Sequence, residues 1–147
     1  MYRGREGEIR VKKFDRCACH SKVLYHKCCQ PFHEGKDPEN ALQLMRSRYA
    51  AYALNLPSYI MESTHPEYRD FKTDRARWKK ELEAFSQATK FDGLRIVEFT
   101  DGELTATVTF IAYLRQNNTD ISFSEKSGFE KQSGRWLYKS GEVTELS

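Results

Sequence analysis

All the thiol chemistry of this chain is confined to one stretch. "CACHSKVLYHKCC", Cys17–Cys29, contains all four cysteines of a 147-residue sequence. Their spacing is C-x-C, eight residues, then C-C. A tetrahedral metal with sulfur ligands at ~2.3 Å needs four donors converging on one point. A C-x-C arm offers two from one tight turn, eight residues bring the chain back, and the vicinal pair closes the shell. A Cys28–Cys29 disulfide is geometrically poor. Neighbouring Cα atoms sit ~3.8 Å apart, whereas disulfide Cα atoms prefer ~5.5–6 Å. Crossed pairs between the arms remain sterically open, but they need an oxidising compartment. The charged opening "MYRGREGEIRVKKFDR" has no apolar signal-peptide core, and no apolar run approaches the ~20 residues of a membrane span. The expectation is therefore a cytoplasmic protein with no membrane partner, holding a structural Zn²⁺ on Cys17, Cys19, Cys28 and Cys29. His20, His26 and His33 read as surface or supporting residues, because the shell is already filled.

Charge is unevenly distributed. Residues 1–36 hold nine Lys/Arg against four Asp/Glu, and residues 37–147 hold fifteen against seventeen. A basic head can attract nucleic acid. The plainer account is that Lys12, Lys13, Arg16, Lys22 and Lys27 balance the net −2 of a four-thiolate zinc site.

Beyond the cysteines the periodicity changes twice. Asp37-Pro38-Glu39 has the composition of a helix start. Leu42, Met45, Tyr49 and Tyr52 then recur at 3-4-3 spacing, one apolar helix stripe. Arg46, off that stripe, and Arg48, close beside it, each read more simply as solvated than as a cleft residue. A short helix over Ser58–Ser63 stops before His65-Pro66, and a third follows Thr73-Asp74 with Trp78, Leu82 and Phe85 on one face. Strand alternation takes over: "LRIVEFT"; an Asp101-Gly102 hairpin signal; "ELTATVTFIAYLR" with Leu104, Ala106, Val108, Phe110, Ala112 and Leu114 on one face; the turn "QNNTD"; "ISFSEKSGFEKQ" with Gly128 a bulge candidate; and "RWLYKSG" after Ser133-Gly134. Helices followed by an antiparallel meander define an α+β chain. The division expected is a basic segment with a zinc knuckle over 1–36 and an α+β domain over 37–147, with separate cores.

The cysteine motif and its continuation "QPFHEGKDPENALQLMRSRYAAYAL" resemble the SEC-C zinc motif of the YchJ-like proteins, known mainly as uncharacterised bacterial proteins. "THP" at 64–66 and "GRWLYKSG" at 134–141 resemble further blocks in the same order, so the likeness covers nearly the whole chain. The family motif usually reads C-P-C-G-S-G; here His20 and Lys22 occupy the glycine positions, where a positive φ would be uncommon for either. Family members often carry a second cysteine motif at the C-terminus, and this chain has no cysteine after Cys29. The resemblance implies a nuclear-transport-factor-2-like cone: about three helices, then a four-stranded antiparallel meander wrapped around a hollow, following the knuckle. "SEKSGF" resembles a block often written H-E-x-S-x-F, with Ser124 where the His stands.

Three functions are open to such a chain. The leading expectation is a non-enzymatic adaptor whose knuckle contacts a protein or ribonucleoprotein partner, since the SEC-C motif is best known from the tail of SecA, where it contacts a chaperone and the ribosome. The second is a small-molecule binder or enzyme using the hollow, with Tyr49, His65, Trp78, Glu125 and Trp136 as candidate pocket residues and His65, Glu98 and Glu125 as candidate proton-transfer groups. The weakest is RNA or DNA binding through the basic head. A homodimer through the open sheet face is compatible with any of them. No acid dyad, nucleophile motif or phosphate-binding glycine loop occurs, and four thiolates leave no open metal position for catalysis.

Overall fold

The computed structural model describes residues 15–146. Residues 1–14, the first part of the basic head on which the nucleic-acid expectation rests and with it Lys12 and Lys13, lie outside them. The described chain opens with a small hairpin in which Arg16 bridges Leu24 and the Tyr25 amide donates to Asp15 O at 2.8 Å. A 3₁₀ turn, Tyr25–Lys27, and a single helical turn, α1 (Gln30–His33), carry the second cysteine pair into the body. Helices α2 (Ala41–Ala53), α3 (Pro57–Glu62) and α4 (Arg75–Ala88) follow.

Helix α2 begins later than Asp37-Pro38 suggests. Asn40 is its N-cap: Asn40 Oδ1 accepts from the Gln43 amide at 2.8 Å, and Gln43 Oε1 accepts from the Glu39 amide at 2.8 Å. That reciprocal exchange resembles a capping box and satisfies backbone donors that an Asp37 cap would leave open. Nor does α2 bury a single stripe. Ala41, Leu44, Met45, Ser47, Arg48, Tyr49, Ala50 and Ala51 are all buried, because the knuckle, α3 and the sheet surround the helix. Asp74 caps α4 as expected, accepting from Arg77 N at 3.1 Å.

The sheet comprises β1 (Lys90–Thr100), β2 (Thr105–Gln116), β4 (Phe123–Gln132) and β5 (Arg135–Glu145) in the order β1-β2-β4-β5, antiparallel throughout, with a two-residue β3 (Thr119–Asp120) pairing the end of β2. The α+β class and the meander stand as expected; β3 is an addition. Bulges in β1 at Asp92 and Val97, and in β5 at Lys139 opposite the Gly128–Phe129 step of β4, bend the sheet around the helices. Gly128 has a steric reason: a Cβ there would meet Ser140 Oγ at 2.5 Å. One of the three expected turns differs from its sequence signal. Asp101-Gly102 belongs to a longer link, with Thr100 paired to Thr107. The left-handed two-residue turns are Asn117-Asn118 (φ 51° and 63°) and Ser133-Gly134 (φ 50° and 80°).

Inward-facing Ala106, Val108, Phe110, Ala112 and Leu114 keep the predicted alternation, but Leu104 is 66% exposed, because it lies in the link before β2 starts. The expected separate cores are one. Cys17, Cys19, Tyr25 and Cys29 belong to the same buried cluster as Leu44, Met45, Tyr49, Val108 and Phe129. Among the described residues no helix is long and apolar enough to cross a membrane.

Candidate metal centre and hollow

The four Sγ atoms of Cys17, Cys19, Cys28 and Cys29 lie within 4.8 Å of one another. Cys19–Cys28 are 3.6 Å apart and Cys28–Cys29 3.9 Å. A tetrahedron of sulfurs at ~2.3 Å from its centre has edges of ~3.8 Å, so the donor set fits one four-coordinate ion, and none of the four is in a disulfide. Backbone bonds set the geometry: Cys17 N donates to Val23 O (2.8 Å), His20 N to Cys17 O (3.1 Å) and Cys28 N to Tyr25 O (3.0 Å). His20 and Lys22 both take left-handed backbone, φ 62° and 72°. The turn is therefore kept despite the missing glycines. His20 is no ligand; its Nε2 donates to Phe91 O at 3.1 Å and its ring meets Tyr49 edge-on, tying the knuckle to β1.

The thiols lie within hydrogen-bonding reach of one another. Donation from Cys17 first, then Cys28 and Cys29, holds Cys19 far below the ordinary thiol range, while the bond to Cys19 pushes Cys17 above it. Arg46 completes the setting from α2, donating Nη1 to Cys19 O at 3.2 Å and reaching Cys19 Sγ at 3.7 Å. The solvated reading of Arg46 is thus corrected: it is a helix-borne charge placed against the thiolates, where the sequence suggested lysines.

His33 is a strut rather than a ligand. Its Nε2 donates to Ser47 O on α2 at 2.9 Å and its Nδ1 accepts from Tyr25 OH at 2.7 Å. Burial pushes this imidazole down from 6.5 to about 4. The folded state thus keeps His33 neutral where the unfolded chain takes a proton. Its contribution is complete above pH ~6.5 and is lost progressively as pH falls from there towards 4, on the order of 3 kcal/mol in all. The His33 ring resonances, followed by NMR, are expected to hold the neutral position at pH 5; a midpoint near 6.5 would refute this.

At the opposite side of α2 lies a hollow of about 500 Å³, its aromatic walls including Trp78, Phe85, Phe91, Phe110 and Phe123. Tyr49, Trp78 and Glu125, of the five predicted pocket residues, line it. His65 and Trp136 do not, which corrects both. His65 is 1% exposed and satisfied elsewhere: Nε2 donates to Glu130 Oε1 at 2.6 Å and Nδ1 accepts from Glu67 N at 2.9 Å. Its amide donates to Tyr138 O at 2.8 Å, docking the 63–65 segment on β5. Trp136, opposite Lys131 near the Ser133-Gly134 turn, is buried in the core under the Lys131 ammonium. Glu98 is exposed on β1.

The floor of the hollow is polar. Arg48, 7% exposed, donates Nη1 to Ile60 O (3.1 Å), Ser63 Oγ (2.7 Å) and Thr64 Oγ1 (3.1 Å), with its Cζ 4.5 Å from the centre of the Tyr138 ring. The solvated reading of Arg48 is therefore also corrected. Glu125 Oε2 accepts from Ser127 Oγ at 2.5 Å and Tyr138 OH at 2.9 Å, which accounts for the E-x-S spacing of the strand. Burial, and Glu125 after it, holds the Tyr138 hydroxyl well above the usual tyrosine range, so it remains a donor. Reading the sequence alone missed Arg48, Ser127 and Tyr138. One signal was present: Arg48 stands three residues after Met45 and four before Tyr52, a charge on a core stripe.

Comparison with known proteins places these features in a family. Residues 40–141 match the model of the YchJ, middle NTF2-like domain. A UPF0225 protein of Actinobacillus succinogenes is 35% identical over 125 residues, 83% of this chain and 78% of that protein. The solution structure of a SEC-C motif containing protein from Rhodopseudomonas palustris superposes with a TM-score of 0.76 at 35% identity, covering 88% of this chain and 99% of that one. A SEC-C motif containing protein from Psychrobacter arcticus gives 0.74 at 27% identity, covering 92% and 85%.

Proposed function

The chain belongs to the YchJ-like family, whose middle domain is NTF2-like, and from that premise we propose that it is a small-molecule-binding protein, with a structural Zn²⁺ in the knuckle and its ligand site in the hollow. One observation carries this reading: the hollow is open rather than filled by its aromatic side chains, at about 500 Å³. That lies within the ~300–1,000 Å³ of ordinary ligand sites, which combine apolar walls with a few placed polar groups. Binding is favoured over catalysis because Glu125 already takes two hydroxyl donors and the one predicted histidine, His65, is engaged outside the hollow. Zinc is favoured for the knuckle by the all-sulfur tetrahedral set. Four thiolates close the shell, so the metal's part is to hold the fold.

The test is a small-molecule library screened by thermal shift against the wild type and Ala112→Leu. Ala112 lines the hollow and is 2% exposed, so the larger side chain occupies ligand space; overpacking of this kind costs ~1–3 kcal/mol. Compounds that stabilise the wild type are expected to lose their effect on the variant. Equal stabilisation of both proteins would sink the proposal, as would a library without a hit.

A second reading keeps the knuckle as a protein contact. Val23, between Lys22 and the second cysteine pair, is 44% exposed on its loop. Capture from lysate with wild type and Val23→Asp would decide it; identical partners in both would refute this role for the loop.

A further inference from the structure

The hollow's floor holds two charged groups that each keep part of their hydrogen-bonding edge free of protein partners. Arg48 comes from α2 and is more than nine-tenths buried. A guanidinium taken out of water is costly unless its N–H groups and charge are matched. Only Nη1 is matched, and by three neutral oxygens. Among the described residues Nη2 and Nε have no hydrogen-bond partner, and no carboxylate lies within ion-pair distance of Arg48. Arg115 shows the contrast: on the surface it meets Asp92 through Nε at 2.6 Å and Nη2 at 3.0 Å. Arg48 lines the hollow, and the same Nε–Nη2 edge has no protein partner among the described residues. A planar pair of N–H donors on a fixed charge selects a carboxylate-like anion.

Glu125 is the counterpart. Its Oε2 is held by Ser127 and Tyr138, while among the described residues Oε1 has no partner. The carboxylate is locked in place from behind: a Cβ on Gly141 would stand 2.6 Å from Oε2, so only glycine lets the strand pass so close. Tyr138 sets the spacing. Its ring lies under Arg48 and its hydroxyl bonds Glu125, which keeps the two charges about a phenol ring apart rather than in contact.

Resting on the ligand-binding reading above, we propose that the hollow takes a small zwitterion of the aromatic amino-acid type, its carboxylate on Arg48, its ammonium on Glu125, and its ring among Trp78, Phe85 and Phe123. A plain carboxylate satisfies Arg48 but brings a second anion towards Glu125. A plain amine satisfies Glu125 and leaves Arg48 unmatched. A zwitterion matches both and leaves the near-neutral floor neutral.

The experiment uses the full, metal-loaded chain. L-tryptophan, 3-(indol-3-yl)propionate, tryptamine and indole-3-ethanol are titrated by calorimetry and by NMR, observing the Arg48 Nε–H and Trp78 indole signals. L-tryptophan is expected to shift both signals. Each analogue lacking one or both charges is expected to bind at least tenfold more weakly. Glu125→Gln should weaken L-tryptophan about tenfold and bring it level with indolepropionate. Arg48→Gln should bring it level with tryptamine. Circular dichroism and metal content check the variants, and if Arg48→Gln does not fold, the isosteric Glu125→Gln and the four wild-type titrations still decide. Indolepropionate or tryptamine binding as tightly as L-tryptophan would overturn the zwitterion. Indole-3-ethanol binding the wild type as tightly as L-tryptophan would overturn it too, while leaving the hollow a ligand site. No shift with any of the four compounds would overturn the ligand class, and the library screen against Ala112→Leu separately decides whether the hollow binds anything.

Discussion

Stripping the metal from the four-cysteine centre is expected to unfold the chain as one unit. The sequence suggested that residues ~15–32 would come apart alone above an intact cone. The continuous core removes that option. Cys17, Cys19, Tyr25 and Cys29 pack in one cluster with Leu44, Met45, Tyr49 and Val108. His33 bonds α2, His20 bonds β1, and Arg46 reaches back from α2 to Cys19. Structural zinc contributes folding free energy directly, with apparent values of ~10–16 kcal/mol in small finger peptides, so a loss of about 5 kcal/mol or more is expected here. Amide exchange with and without chelator should show protection lost from α2 and β2 as well as from the knuckle. Loss confined to residues 15–33 would contradict this account. Elemental mass spectrometry should find one zinc per chain, and Cys28→Ser should reproduce the effect of the chelator. Acid acts in the same direction, because the ligating thiolates must take up protons for the metal to leave.

The second large effect is expected at Tyr25. Its side chain is fully buried between the knuckle and α2, and its hydroxyl bonds His33 Nδ1 at 2.7 Å. Tyr25→Ala opens a large cavity at the junction and should cost about 3–5 kcal/mol. Tyr25→Phe keeps the ring but leaves His33 Nδ1 without its donor, at about 1–2 kcal/mol. Urea unfolding of the metal-loaded proteins measures both. Zinc affinity should fall in Tyr25→Ala, since core and metal stabilise each other. A Tyr25→Ala protein as stable as wild type, or with unchanged zinc affinity, would mean that the knuckle and the cone are independent after all.

Much of the fold could be read along the chain because its signals are local. Alternation from Ala106 to Leu114 identified β2 and Asp74 capped α4, while Gly128 stands opposite a bulge that falls on β5 at Lys139. Errors arose where local signals compete. Asp37-Pro38 looks like a helix start, but Asn40 and Gln43 make a better cap between them. Asp101-Gly102 looks like a tight hairpin, yet Thr100 pairs with Thr107 across a longer link, whereas the turns expected in "QNNTD" and at Ser133-Gly134 do form as left-handed pairs. Exposed Leu104 shows the same limit: the alternation continues one residue beyond the strand that gives it meaning.

The sequence by itself determined the donor set of the candidate metal centre and the succession of helices and strands. Ligand type, vicinal spacing and side-chain period are properties of neighbouring residues, and covalent geometry carries them unchanged into the fold. Only the tertiary structure decided what surrounds them. It fused the knuckle to the cone through Tyr25, His20 and His33, and turned His65 towards Glu130, away from the hollow. It also brought Arg48, Glu125 and Tyr138 together on one floor. Those three residues are far apart in the chain, and they meet because β4 and β5 pair in a bulged register and curve around a buried α2. That curvature follows from burying every inward face at once, so it cannot be read from any one segment.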